Sequence, residues 1–391
     1  MRILHIIGTI DPAGGGPQEV VRMLLLYAPH GYTGEVVTLD DPGAAFLQTL
    51  PFTVHPLGSE NGGWYSARLV PWLRSNRGRF DGVMLHGLWE FTALALLRTI
   101  AGRTPYVVFP HGMLDPYFKR TFPLKHLKKW GYWLPVQYWV LRQAHRVLFT
   151  SNAERDLAAQ SFWLHRWNPI VVGLGSEAPP QDMDRCAAAF CSICPSIKGE
   201  RYLLFLGRID PKKGCNLLID AFAAVSGQDP GLHLVVAGPD SGDWRTQLQA
   251  VAEEKGVASR IHWPGMLTGD AKWGAFGGCE AFVLPSHQEN FGIAVVEALA
   301  CGRPVLITKP INIAPDLATD GCAIVEEDTA AGVRALLTRW IVLSPETRIS
   351  MGERALLSFA ARYDMRKNTA VILQAFNSTG RSPATALAEA H

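Results

Sequence analysis

The 391-residue chain has no apolar run approaching the roughly 20 residues that cross a bilayer, so no membrane-spanning helix is expected. Net charge is equally scarce: 37 Lys and Arg stand against 35 Asp and Glu, which leaves +2. A near-neutral balance argues against nucleic acid as a partner. Seven cysteines, odd in number and irregular in spacing, form no disulfide framework. Cys191-x-x-Cys194 has no second pair at zinc spacing. All seven read as free thiols in a reducing compartment. The opening MRILHIIGTIDP reads as a buried first strand rather than a signal peptide, which points to a cytoplasmic protein. Missing too are a G-x-G-x-x-G fingerprint and a Walker lysine. The single Asp-x-Asp, Asp182-Met183-Asp184, lies away from any strand end, so no metal is called for.

What is present is apolar and regular. Hydrophobic residues make up 48% and charged residues 18%, and the length suits two domains. Short continuous apolar runs alternate with longer helical patterns: Arg2–Ile7, Glu35–Leu39, Gly82–His86, Tyr106–Pro110, Arg146–Thr150 and Pro169–Val172, then Tyr202–Leu206, Leu232–Ala237, Ala281–Leu284, Pro304–Ile307 and Ala323–Val325. That alternation predicts parallel sheets covered by helices on both faces. The expected fold is α/β, with two Rossmann-like doubly wound domains facing across a cleft. The boundaries read as 1–180, a connection over 181–200, 201–376, and a disordered tail over 377–391. Ligands of such sheets bind beyond the carboxyl ends of the strands.

Two strand-end loops suit phosphate. GRIDPKKG, residues 207–214, is bracketed by glycines and opens a helix whose N–H groups and dipole favour an anion. Arg208 adds a planar fork and Lys213 a point charge. On these residues alone a solvated basic loop remains open. At the amino terminus Gly14-Gly15-Gly16 follows the first strand and permits close backbone approach to a ligand, or is simply turn geometry.

Four elements then occur in order: the Gly-rich loop, Pro110-His111-Gly112, GRIDPKKG, and Pro285-x₃-Glu289-Asn290-Phe291-Gly292-x₄-Glu297-Ala298. This constellation resembles the retaining glycosyltransferases of family 4, with the B-type glycosyltransferase fold, over nearly the whole chain. The Glu-x₇-Glu segment with its trailing ACGRPV is its most specific part. The resemblance implies that Arg208 and Lys213 bind the diphosphate of a nucleotide-sugar co-substrate and stabilise it as leaving group. Glu289, with the backbone around Asn290, Phe291 and Gly292, would meet the donor sugar, and Glu297 the ribose hydroxyls. His111 would contact the sugar, while Gly15 and Gly16 would lie near the phosphate or acceptor. Gly265 and Met266, in the turn Pro264–Leu267, fall where relatives wrap the base. The catalytic set implied is His111, Arg208, Lys213 and Glu289. Cations and helix ends carry the phosphate charge in this scheme, so no cofactor or metal is expected.

The acceptor side is less sharply drawn. His86 and Trp89 follow a strand, and Asp115 follows His111; these three are acceptor-side candidates. Residues 116–153 contain no Asp or Glu, whereas Tyr117–Arg146 carries seven Lys and Arg among eight aromatics. Lys119, Arg120, Lys125, Lys128, Lys129, Trp130 and Trp133 are candidates for contact with an anionic membrane, at the inner face of the plasma membrane. A partly buried helix pair with a solvated basic face is the competing reading, and Pro123 and Pro135 break the segment into short pieces. Relatives often glycosylate lipid-linked acceptors, and GMLDPYFKR is similar to enzymes of exopolysaccharide, capsule and lipopolysaccharide assembly. A nucleotide-sugar epimerase of the same fold, or an inactive glycan- or nucleotide-binding module, are the alternatives.

Overall fold

The computed structural model describes residues 1–59, 63–240 and 242–377. The described residues form two compact units, residues 1–174 together with residues 365–377, and residues 175–364. Each is organised around a single parallel sheet. The first contains β1 (Arg2–Ile6), β2 (Thr33–Thr38), β3 (Val54–Pro56), β4 (Gly82–His86), β5 (Tyr106–Phe109), β6 (Arg146–Phe149) and β7 (Pro169–Val171). Their order is β3-β2-β1-β4-β5-β6-β7. Every residue of β4 and β5 is buried, which is why these strands read as unbroken apolar runs. Each fully buried Leu, Val or Phe contributes about 1.5–3 kcal/mol relative to exposure.

The second unit repeats the plan with β8 (Arg201–Leu206), β9 (Leu232–Ala237), β10 (Ile261–Gly265), β11 (Ala281–Leu284), β12 (Val305–Thr308) and β13 (Ala323–Glu326). Their order is β10-β9-β8-β11-β12-β13. In both sheets the winding reverses next to the first strand, between β1 and β4 and between β8 and β11. Chain crossovers leave in opposite directions there, so the loops at the carboxyl ends splay apart and expose backbone. The GRIDPKKG loop and the Glu-x₇-Glu segment follow β8 and β11, the two strands that flank the reversal in the second sheet.

Several boundaries differ from the sequence reading. Two edge strands, β3 and β10, were not expected. The 181–200 connection is mostly a helix, Met183–Ile193, packed on the helix Gly269–Gly278 of the second unit. Asp182 is its N-cap, accepting the Arg185 N–H at 2.9 Å, which gives that carboxylate a structural task. The closing helix Met365–Gln374 belongs to the first unit, not the second, and packs on the helix Gly16–Leu26. Phe376 fills the space over Gly82, where a Cβ would come within 2.7 Å of its ring. Asn377 donates to the Tyr32 hydroxyl at 3.2 Å, and the rest of the expected disordered tail lies outside the described residues.

Candidate functional site

In the second unit the loop after β8 and the loop after β11 are tied together. The Lys212 carbonyl accepts the His287 N–H at 2.8 Å and the Ser286 hydroxyl at 3.1 Å. Gly214 adopts φ 69°, and a Cβ there would sit 2.1 Å from the Pro285 carbonyl oxygen, so only glycine allows the loops this close. Asp210 caps the turn Pro211–Lys213 by accepting the Lys212 N–H at 2.8 Å. This pinned turn presents Lys213, whose ammonium is ion-paired with the Glu289 carboxylate. Glu289 is fixed through its backbone: its N–H donates to Pro310 at 3.2 Å and its carbonyl accepts from Asn312 at 3.1 Å. Asn290 accepts from the Asn312 amide at 3.2 Å.

Gly292, at φ 76°, opens the helix Ile293–Ala300 and places Glu297 in the second turn. Glu297 is 5% exposed and receives the Lys272 ammonium at 2.7 Å. Glu289 and Glu297 thus have different lysines and different surroundings, unlike a shared-proton pair. Phe291 is buried, edge-on to Tyr363, so its ring serves packing and only its backbone is offered to a ligand. Arg208 is exposed, with no ion pair among the described residues. The helices Cys215–Val225 and Ile293–Ala300 both begin at a left-handed glycine and carry no side-chain N-cap. Their first N–H groups therefore lack the usual side-chain partner. Gly265 closes β10 rather than lying in a turn, and Met266 after it is exposed.

The carboxyl edge of the first sheet differs in character. Gly15, at φ 96°, precedes the helix Gly16–Leu26, and a Cβ there would meet nothing within 4 Å. Trp89 (φ 73°) and His111 (φ 51°) are left-handed non-glycine residues, a strained conformation that surrounding contacts must impose. For His111 the constraint is visible. The next N–H, of Gly112, donates to Glu154 at 2.8 Å, and the other oxygen of that buried carboxylate accepts from the Thr150 N–H at 2.6 Å and hydroxyl at 2.8 Å. The His111 ring stacks on Phe109 with centroids 4.3 Å apart. Its Nε2 lies 3.0 Å from His86 Nδ1, and His86 Nε2 lies 3.0 Å from His5 Nδ1. Burial lowers all three: His5 to about 4, His111 to about 3, and His86 well below its ordinary value. The rings are uncharged at neutral pH.

The remaining acceptor-side and membrane candidates separate. Asp115 accepts the Tyr117 N–H at 2.7 Å and shapes the turn into the helix Tyr117–Thr121. Trp89 is half-buried, with the Lys129 ammonium 4.6 Å above its ring and Phe162 at 5.5 Å, so that side is not open for a sugar. Lys129 is thereby turned inward, and its pKa is lowered by burial. Trp133 is fully buried, stacked on Phe162 at 4.0 Å with its N–H donating to Leu164 at 2.9 Å; it is core, not membrane contact. Trp130 is half-buried against Phe162. Lys119, Arg120, Lys125 and Lys128 remain exposed, alongside Phe122, Leu124, Leu127 and Trp163. No described helix is long and apolar enough to cross a membrane.

Sequence reasoning missed four groups. Lys272 and His5 gave no local signal. Glu154 did: Ser151-x-x-Glu154 reads as a capping box, although its carboxylate turns to Gly112 instead of the Ser151 N–H. Glu90 also went unnoticed. Its carboxyl presses on Gly8, where a Cβ would come within 2.2 Å, and burial raises its pKa. All seven cysteines are free, and no group of three or more His, Cys, Asp or Glu placed to hold a metal ion occurs among the described residues.

Comparison with known proteins fits this division. Residues 14–175 match the family described as "Glycosyl transferase 4-like domain", and residues 194–358 match "Glycosyl transferases group 1". A D-inositol 3-phosphate glycosyltransferase of Segniliparus rotundus is 31% identical over 56% of this chain and 48% of its own, so the match spans about half the length of that relative. A GDP-mannose:cellobiosyl-diphosphopolyprenol alpha-mannosyltransferase of Xanthomonas campestris is 25% identical over 98% of this chain and 99% of its own. Among solved structures, Anabaena HepE in complex with UDP and glucose has a TM-score of 0.76 at 17% identity, covering 97% of this chain and 100% of HepE. WaaG, a glycosyltransferase involved in lipopolysaccharide biosynthesis, has a TM-score of 0.70 at 17% identity, over 96% and 100%. The two-sheet architecture is that of the B-type glycosyltransferases.

Proposed function

From a chain whose two units belong to glycosyltransferase domain families, we propose a retaining, metal-independent family 4 enzyme that transfers a sugar from a nucleoside-diphosphate donor. The observation that carries this reading is the pinned pair of loops in the second unit. They present Arg208, Lys213 and two uncapped helix N-termini beside two separately anchored carboxylates. An anion with two phosphates satisfies the cations and N–H groups; hydroxyl groups satisfy the carboxylates.

As the bond between the anomeric carbon and the phosphate oxygen breaks, negative charge builds on the diphosphate. Arg208 and Lys213 stabilise that charge from a loop whose backbone the Asp210 cap and the Lys212 hydrogen bonds already hold. The acceptor oxygen bonds to the same face of the anomeric carbon, and its proton passes to the departing phosphate oxygen. Glu289 accepts from donor-sugar hydroxyls, and Glu297, oriented by Lys272, accepts from the ribose diol. Gly15 and Gly16 let backbone approach the phosphate or the acceptor, and Gly265 and Met266 border the base. His111 gives a sugar hydroxyl an uncharged partner, with Asp115 on the acceptor side; His86, 1% exposed and with its two ring nitrogens 3.0 Å from His5 and His111, stands behind His111 and is not itself open to an acceptor.

The acceptor is a glycan or lipid-linked glycan of cell-surface polysaccharide assembly. The Xanthomonas relative, by its name, acts on a diphosphopolyprenol carrier, and WaaG acts in lipopolysaccharide biosynthesis. The exposed basic and apolar residues of Tyr117–Tyr132 suit a peripheral site on anionic lipid at the cytoplasmic face. A screen of uridine-, guanosine-, adenosine- and thymidine-diphosphate sugars, read by thermal shift, hydrolysis and the anomeric configuration of the product, tests the enzyme. A donor at 100 times its dissociation constant should stabilise by about 2.7 kcal/mol. Failure of every donor to bind or react would refute the proposal. Recruitment to vesicles of anionic lipid at low salt tests the surface; a protein left in the supernatant contradicts it.

A further inference from the structure

Three histidines in the first unit do more than fill space. His5 sits in the middle of β1, His86 at the end of β4, and His111 just beyond β5. His5 and His86 are 2% and 1% exposed. Two nitrogen–nitrogen contacts of 3.0 Å join the three rings in a line. Neighbouring rings are nearly coplanar, at 22° and 15°, so each nitrogen lone pair or N–H points along the contact.

We propose that His5, His86 and His111 form one hydrogen-bonded imidazole column whose members share a single tautomer, so that His5 and His86 are positioning residues that set the hydrogen-bond polarity of His111. The inference rests on the reading of His111 as a residue that meets the sugar. Its logic is a proton count. A neutral imidazole carries one N–H and one lone pair. Each nitrogen–nitrogen bond consumes one of each, and His86 uses both of its nitrogens. If His86 donates from Nδ1, His111 Nε2 must accept, so the His111 proton lies on Nδ1. His86 Nε2 then accepts from His5 Nδ1–H, and all three rings are Nδ1–H. If the direction is reversed, all three are Nε2–H.

Any mixed arrangement sets two N–H groups or two lone pairs against each other in a buried site and forfeits a bond. Burial keeps the rings neutral, which excludes the charged form that would escape this rule. The remaining nitrogen of His111 is therefore either a donor or an acceptor throughout, chosen by a residue two strands away. A sugar hydroxyl can do either, but only one orientation of it then fits. Glu154 fixes the backbone on the other side of the same histidine through the Gly112 N–H, so ring and main chain are held independently.

The test uses the full chain labelled with ¹⁵N-histidine. Long-range proton–nitrogen correlation at pH 7 reads which nitrogen of each ring carries the proton, with His5→Phe, His86→Phe and His111→Phe used for assignment. Three rings in the same pure tautomer support the column; two different tautomers, a mixture, or an imidazolium among them overturns it. That readout is made on the unaltered protein and needs no turnover, so it stands even if the glycosyltransferase reading fails. In His86→Phe the His111 ring should lose its single tautomer while circular dichroism and the melting transition remain cooperative. With an active donor in hand, His5→Phe should lower kcat by about tenfold while donor KM moves less than about threefold. Unchanged kcat in His5→Phe, with the His111 tautomer scrambled, would overturn the positioning role.

Discussion

The carboxyl edges of the two sheets are built on the same topology yet carry opposite chemistry. Around the reversal in the second sheet the side chains are ionic: Lys213 with Glu289, Lys272 with Glu297, and Arg208 without an ion pair among the described residues. Around the reversal in the first sheet they are uncharged: His5, His86 and His111 in a line, with Glu90 pushed toward its neutral form by burial. One winding rule thus makes two openings, and the residues placed in them decide what each can hold. The ionic edge suits a diphosphate whose charge grows during reaction. The neutral edge suits hydroxyl groups, which an imidazole can orient without adding charge.

The largest effect should come from the ionic edge. Arg208→Ala or Lys213→Ala should lower kcat by roughly 10²–10³, as removal of a preorganised charge-stabilising group does, while melting barely shifts. Turnover near the unaltered rate in both would erase the contrast between the edges. Glu297→Gln keeps shape but loses the charged acceptor, and should weaken free nucleoside diphosphate by about ten- to a hundredfold, the worth of a hydrogen bond to a charged group. Calorimetric titration measures it, and an unchanged affinity would remove Glu297 from the ribose.

The neutral edge should reveal itself through pH. A histidine whose folded pKa is lowered contributes stability that is lost as pH falls below the unfolded value near 6.5. For His5 the loss continues to about pH 4 and for His111 to about pH 3. Each such proton costs up to about 1.4 kcal/mol per pH unit within its window. Denaturant melts from pH 7 to 4 should therefore steepen with acid, and His5→Phe should flatten that slope; parallel curves would contradict the buried neutral column. Glu90 has the opposite sign. Its raised carboxyl disfavours the ionised form, so Glu90→Gln should stabilise at pH 7 and lose that advantage by pH 4. A constant difference across that range would mean that Glu90 ionises without cost.

Much of this division was legible before the structure. Continuous apolar strands, the glycine-bracketed GRIDPKKG loop and the Glu-x₇-Glu segment follow from local spacing, and local spacing survives folding. The short edge strands were missed because Val54–Pro56 and Ile261–Gly265 contain prolines and have one unpaired side, which blurs their pattern. The helix Met365–Gln374 shows a helical period in sequence, but a period does not say which unit supplies its partner. The histidine column is illegible for a different reason: its members are 81 and 25 residues apart, and only the strand order brings them together. Trp133 was assigned to the surface by composition, yet a tryptophan among lysines can face either way, and Phe162 decides it.

The central claim is that the loop after β8 holds the two phosphates of the donor. Calorimetric titration of the unaltered protein, Arg208→Ala and Lys213→Ala with a nucleoside diphosphate and the matching monophosphate tests it directly. The account predicts that the unaltered protein prefers the diphosphate by at least about tenfold, equivalent to 1.4 kcal/mol, and that both variants lose that preference. Equal preference for the diphosphate in all three proteins would contradict it.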